Sequence, residues 1–508
     1  MVARTVIVLM AMLLAGPAMA AAGDADRGEA IYAQRCMWCH GEEGDGEGEG
    51  AERLLPRPRD LSMAQYKIKT TGFEDFVPND SDLERMISNG MPGTAMPGWS
   101  DVLSEQDIWD VVAYIKIFAA LDEEAPSQQL DYGTQVASSA DSIAKGRELF
   151  LDGERCSECH GEEGRGDAIK KLKDDAGYRT WPRNLTKPWT FRASNDPKDI
   201  FTRITVGISG TQMPSFADTK SKKFLTIEER WHVANYAASL GAEGAPVNPE
   251  VTVIKADRVE GALPTSPDDP AWDALSAATF MLVPQIIVDE RFFLPSNDTI
   301  SVRALYSDAA VAIHLEWDDR TRSIPGDEQA AKIADTGFTE DAVAVQLPMT
   351  IPDGMAKPYF VLGDAKRPVN QWRWTSGTSE TPPSVQLANG RGYDDVEDRD
   401  GAAVGLAADA VWRAGTWRVV MTRPRTTDDA ANDLQFAEGA YIPIAFAAWD
   451  GSNGESGTKH TLTTWYWLLL KPKAGSTPYV MAIAVFGAVI GGQFWWARSA
   501  RRRREDEA

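Results

Sequence analysis

Hydrophobic positions change their spacing along the chain. Ile108, Val111, Val112, Ile115 and Ala119 recur at helical intervals. Ser104 and Asp107 stand near the start of that run, where acceptors for unpaired N–H groups belong. After Gly244-Ala245-Pro246 the period falls to two. Val311, Ile313, Leu315 and Trp317 alternate with Ala312, His314, Glu316 and Asp318, which predicts a half-buried strand. Val343, Val345 and Leu347 repeat the pattern, as do Trp417, Val419 and Met421, and Ile442, Ile444 and Phe446. Turn clusters such as Asp450-Gly451-Ser452-Asn453-Gly454 separate the runs. Residues 250–472 are therefore expected to form an antiparallel β-sandwich.

Both chain ends carry apolar segments. Tyr479 to Trp496 is an apolar run of 18 residues, about 27 Å long as a helix. Arg498, Arg501, Arg502, Arg503 and Arg504 follow it, and Trp495 and Trp496 sit at its edge. The pattern predicts a transmembrane helix at 479–496 with a basic cytoplasmic tail at 497–508. The expected localisation is thus the cell inner membrane, single-pass, with the preceding domains in the periplasm. A buried helix of a soluble domain is the alternative, and Gly487-x-x-x-Gly491 is a weak signal for helix pairing. At the N-terminus, Arg4, the apolar run Val6 to Leu14 and Ala18-Met19-Ala20 read as a signal peptide over residues 1–20, with an uncleaved anchor as the alternative.

The helical part is an internal repeat. Gly28, Tyr32, Cys36, Cys39, His40 and Gly41-Glu42-Glu43-Gly44 recur as Gly146, Phe150, Cys156, Cys159, His160 and Gly161-Glu162-Glu163-Gly164. Pro58-Arg59-Asp60-Leu61 recurs as Pro182-Arg183-Asn184-Leu185, Gly93-Thr94-Ala95-Met96-Pro97 as Gly210-Thr211-Gln212-Met213-Pro214, and Trp109/Tyr114 as Trp231/Tyr236. The two copies occupy residues 21–122 and 142–243, joined by a polar linker at 123–141.

The chain has four cysteines, all within two C-x-x-C-H motifs, so none remains for a structural disulfide or an iron–sulfur cluster of its own. C-x-x-C-H is the attachment signature of c-type haem: two thiols form thioethers and the adjacent His binds iron. A redox dithiol or half of a zinc site is the competing reading. His40 and His160 are the expected proximal ligands, and Met96 and Met213, alike in repeat position, the distal ones. Core packing is the alternative for either Met. Met91 also precedes a Pro, but its counterpart is Ile208. Thioether ligation raises the potential, and six-coordinate iron leaves no place for substrate, so electron transfer is expected rather than catalysis. Arg59 and Arg183 are candidates for haem propionate contacts, with solvated surface positions as the alternative. Both copies resemble class I cytochrome c domains through these motifs. The expected fold class is multidomain: two all-α cytochrome c domains, a β-sandwich and a C-terminal transmembrane helix.

No catalytic triad, phosphate loop or paired metal-ligand set is evident in residues 250–472. Ala304-Leu305-Tyr306-Ser307-Asp308, Asp341 to Pro348, Gly363-Asp364-Ala365 with Pro368-Val369-Asn370, and Ala445 to Gly451 resemble the ethylbenzene dehydrogenase-related haem b domain. That resemblance implies a γ-subunit-like partner of molybdenum enzymes of the dimethyl sulfoxide reductase superfamily. It also implies a third, non-covalent haem b between a Met and a Lys. The Lys corresponds to Lys459, but Leu362 occupies the Met position, and leucine cannot bind iron. Met349, Met355 and His460 are the possible substitutes, whereas His232 and His314 are expected to be structural. The sandwich also resembles carbohydrate-binding and DOMON-like domains, for which Trp372, Trp374, Trp412 and Trp417 exposed in a groove would be the mark.

A formal charge of −23 disfavours nucleic acid and favours basic partners. The expected function is a diheme electron carrier linking an iron–sulfur/molybdenum oxidoreductase, expected in the periplasm, to the respiratory chain. A sugar-binding diheme protein and a diheme subunit of a respiratory complex are the alternatives. Attachment to the membrane is expected through the C-terminal helix.

Overall fold

The computed structural model of the protein describes residues 23–506 apart from 55, 76, 93, 122–128, 154, 169, 243–246, 327, 335–336 and 474–476. The expected signal peptide lies outside the described residues and gains no structural support.

The first repeat forms α1 (Ala25–Arg35), α2 (Met37–His40), α3 (Asp80–Asn89) and α4 (Glu105–Ile117). Ser104 caps α4 as its sequence suggests: its Oγ accepts from the N–H of Asp107, whose carboxylate accepts from the N–H of Ser104, both at 3.2 Å. Ile108, Val111, Val112 and Ile115 are buried on one face, while Ala119 lies beyond the helix end. The second repeat forms α5 (Ala140–Leu151), α6 (Ser157–His160), the short strands β1 (Leu172–Lys173) and β2 (Arg179–Thr180), α7 (Pro197–Val206) and α8 (Ile227–Ser239). The β1–β2 pair makes this domain not purely α-helical. In each repeat the first and last helices cross at a glycine. A Cβ at Gly28 would lie 2.0 Å from the carbonyl oxygen of Asp110, and one at Gly146 would lie 2.1 Å from that of His232. No side chain fits either crossing.

The two helical domains are clamped together. Arg85 reaches Asp199 through two hydrogen bonds of 2.8 and 2.5 Å. Arg203 donates to the carbonyls of Lys67 and Lys69 at 3.1 and 2.6 Å. Residues 129–136 connect them, with Gln129 bridged to Thr71 and the carbonyls of Tyr132 and Val136 accepting from Trp231 and Asn235.

The β-domain comprises β3 (Val253–Arg258), β4 (Ala278–Met281), β5 (Val283–Pro284), β6 (Thr299–Tyr306), β7 (Ala310–Asp318), a short α9 (Glu328–Ile333), β8 (Ala342–Pro348), β9 (Val369–Thr375), β10 (Ser384–Gly390), β11 (Val396–Arg399), β12 (Ala407–Arg413), β13 (Thr416–Pro424), β14 (Tyr441–Trp449), β15 (Thr461–Leu462) and β16 (Tyr466–Leu470). The main path runs β11-β10-β9-β8-β14-β16-β3-β6-β7-β13-β12. Residues of β6, β7 and β13 share one core with residues of β8, β9 and β14, so the curled sheet packs on itself as a sandwich.

Two expectations need correction here. The sheet is mixed, because β3 pairs in parallel with both β16 and β6; the domain's first strand is inserted beside its last. Strand β7 is also buried on both faces, since Trp272 and Leu305 cover Ala312 on the side away from the main core.

The expected transmembrane helix does not hold either. Residues Thr477–Asp506 form α10, yet no helix among the described residues is long and apolar enough to cross a membrane. Arginines fill its last turns. The single-pass inner-membrane placement, the periplasmic and cytoplasmic sides derived from it, and membrane attachment through this helix fall with it.

Candidate functional site

Each C-x-x-C-H motif lies on a single helical turn. α2 and α6 begin directly after Cys36 and Cys156, so the second cysteine and the histidine follow within one turn. All four thiols are free. Burial pushes the Cys36 thiol up to about 11 and the Cys156 thiol up to about 12. A dithiol built for exchange has a lowered value instead, so the redox-dithiol reading loses.

The histidines are oriented identically. Nδ1 of His40 donates to the carbonyl oxygen of Arg59 at 3.0 Å, and Nδ1 of His160 donates to that of Arg183 at 3.0 Å. A carbonyl can only accept, so the proton sits on Nδ1 and Nε2 keeps its lone pair. Burial lowers both imidazoles, which keeps them neutral. Both features suit an iron ligand.

Cys36, Cys39 and His40 share one deep, mainly apolar cavity with Met96, Met91, Arg59, Tyr66 and Leu83. The loop bearing Met96 closes against the end of α3 at Gly90, whose φ of +68° and contact with Met96 and Pro97 leave no room for a Cβ. Gly207, φ +72°, does the same beside Met213. The N–H groups of Met91 and Ile208 donate to the carbonyls of Met96 and Met213, each at 3.1 Å. The residues of the first domain therefore fit c-type haem, with two sulfurs, an imidazole and a thioether lining one cavity, and the second repeats the motif turn, the histidine's hydrogen bond and the Met loop. Once bound, haem supplies a one-electron couple.

The β-domain has a second cavity, over the open face of β8, β9 and β14. Leu362 lines it from one side, and Thr458 and His460 from another. The residues do not fit haem b. Leu362 offers no donor atom, and Lys459 forms an ion pair with Glu290 instead of lining the cavity. His460 is engaged on both nitrogens, by Gly457 and Tyr393, with its ring 4.6 Å from that of Trp449. Met349 is buried, and Met355 is exposed on the surface. His232 bonds Ser142, and His314 packs on Trp272, both as structural residues would. Trp372, Trp374 and Trp417 are core residues, and Trp412 donates to the carbonyl of Asp319, so no aromatic sugar-binding groove forms among them.

Residues 23–115 match the family described as Cytochrome C oxidase, cbb3-type, subunit III, residues 143–241 match Cytochrome c, and residues 269–401 and 390–461 match Ethylbenzene dehydrogenase. Cytochrome c55X of Paracoccus denitrificans is 34% identical over 110 residues, covering 21% of this chain and 89% of that protein. The chain belongs to the cytochrome c family. The cytochrome is also 27% identical over 236 residues to the "Putative respiratory nitrate reductase heme subunit ORF7" of Haloferax mediterranei, covering 45% of the chain and 78% of that relative. Chlorate reductase subunit gamma of Ideonella dechloratans is 26% identical over 257 residues, covering 48% and 97%. The cytochrome thus carries covalent haem c and is related to haem-bearing subunits of redox complexes rather than to catalytic ones.

The second cytochrome domain is fastened to the β-domain. Arg320 donates to the carbonyls of Gly166, Ser296 and Pro182 at 2.8, 2.8 and 3.4 Å, and stacks 4.4 Å from the ring of Trp181. Arg183 pairs with Asp298 at 3.1 Å, which places this candidate propionate contact at the domain boundary. Arg59 instead faces the second domain, with its guanidinium 3.1 Å from where a Cβ of Gly210 would lie. Sequence reasoning missed Arg320, Lys67 and Arg192. Neither Arg320 nor Arg192 belongs to a repeated motif, and only packing gives them roles.

Proposed function

We propose that this cytochrome relays electrons between a molybdenum and iron–sulfur oxidoreductase, docked on its β-domain, and respiratory electron carriers met by its helical domains. Cys36, Cys39 and Cys156, Cys159 would anchor the two haems, His40 and His160 would bind iron proximally, and Met96 and Met213 distally. The observation that carries this reading is the Arg320 clamp: the β-domain is bonded to the loop that follows His160, so a partner on that domain lies next to a haem attachment site. Likeness to the nitrate reductase haem subunit and to the chlorate reductase γ subunit supports the choice of partner.

The β-domain would serve as a docking scaffold. Its cavity retains the position implied for haem b, but the ligand pair is broken at Leu362 and diverted at Lys459. Affinity purification of the tagged full chain from its native cells tests the partner. Recovery of molybdenum and non-haem iron in fixed ratio to haem is expected. Recovery of the haem protein with neither metal, under conditions that preserve complexes, refutes it.

A further inference from the structure

Three cations collect where the first haem crevice meets the second domain. Arg59 and Lys67, from the first domain, line the crevice that holds Cys36, Cys39 and His40. Arg192, from the second domain, lines that same crevice. The Arg59 guanidinium in turn lies beside the Gly210 turn, three residues before Met213: a Cβ at Gly210 would be 3.1 Å from it. The second domain therefore places a cation in the first domain's crevice.

None of the three has a conventional partner. Among the described residues, no hydrogen bond or ion pair reaches the side chains of Arg59, Lys67 or Arg192, and the Nε of Arg192 is buried without an acceptor. The charges also oppose one another. Burial, then Arg183 and Arg59, lower Arg192 to about 10. Burial, then Arg192 and Arg59, lower Lys67 to about 8. Asp174 and Asp175 are felt by Arg59 and Lys67 but form no ion pair with them. Holding like charges together in a half-buried crevice is unfavourable unless an anion joins them. Guanidinium groups match carboxylates in a two-pronged fork.

We propose that Arg59, Lys67 and Arg192 form one anion-binding wall in the first domain's haem crevice, and that Arg192 holds the propionate edge of that domain's haem from the second domain. This rests on the haem-ligand reading given above. The second domain thereby tunes the first haem electrostatically, since a cation near a haem disfavours the extra positive charge of its ferric state.

The test is a spectroelectrochemical titration of the intact holoprotein and its Arg192→Gln variant. A Met213→Ala background marks which wave belongs to the second domain. The expected result is a downward shift of the first domain's potential, larger than any shift of the second, and largely restored by Arg192→Lys. A first-domain potential unmoved by Arg192→Gln, or a shift confined to the second domain, overturns the proposal. Should Arg192→Gln fail to fold, Lys67→Gln carries the same expectation and the same refutation. Loss of covalent haem from the first domain in unaltered protein, seen by haem staining of denatured fragments, would instead sink the ligand reading beneath it.

Discussion

Arg320 donates from Nε to the carbonyl of Gly166 at 2.8 Å, and Gly166 donates its own N–H to the carbonyl of His160 at 2.8 Å. One residue thus separates the β-domain's half-buried guanidinium from His160. Replacing Arg320 by Met removes three charge-assisted donors and the cation facing Asp319 and Asp450. The expected loss is about 3 kcal/mol, with protease cutting near residues 247–250 before the helical domains unfold. Unchanged thermal stability and an unchanged cleavage pattern would refute the clamp.

The ligand assignment is tested one residue at a time. Met96→Ala and Met213→Ala should keep covalent haem but each lower the potential of one haem, because the thioether favours ferrous iron. His40→Ala and His160→Ala should each remove one low-spin haem. Redox titration with haem-stained gels reads both. Unchanged potentials after both Met replacements would discard the distal assignment.

Alkaline pyridine spectra of the purified protein address the β-domain. Two c haems and no b haem are expected. A stoichiometric b signal that disappears in Lys459→Ala would show that Lys459 leaves Glu290 to bind iron, contrary to the scaffold reading.

Asp319, Asp341 and Asp450 bring carboxylate oxygens within 4.8 Å of one another in the buried β-domain. Burial and then the neighbouring carboxylates push Asp341 up to about 7, and raise Asp319 and Glu455 as well. The folded state therefore holds protons that the unfolded chain has already released above its ordinary carboxylate range. Stability must fall as pH rises from about 4 to about 7. Oδ2 of Asp319 has no hydrogen-bond partner, so Asp319→Asn is expected to stabilise by about 1 to 3 kcal/mol at pH 8 and by less at pH 5. Denaturant titrations at the two pH values check it; equal effects at both would contradict the charge burial.

Covalent haem attachment uses contiguous residues, so Cys36-x-x-Cys39-His40 and Cys156-x-x-Cys159-His160 were legible in the chain alone. So were the duplication, the Met96 and Met213 loops, the capping of α4 and the strand runs, each set by local spacing. Their alternation left open which strands become neighbours. β3 joins β16 in parallel across more than two hundred residues of chain, and such a pairing has no local signature. Whether Trp372, Trp374 and Trp417 would be exposed, the mark of the sugar-binding alternative, was equally open: a strand carries its residues on two faces, but the partner sheet determines which face is covered, and here all three are buried. The length and flanking arginines of 479–496 suggested a membrane span, whereas no helix among the described residues is long and apolar enough to cross a membrane. Arg192 and Arg320 lie far in sequence from the groups they face. Their charges look solvated in a linear reading, and only domain packing half-buries them beside those groups.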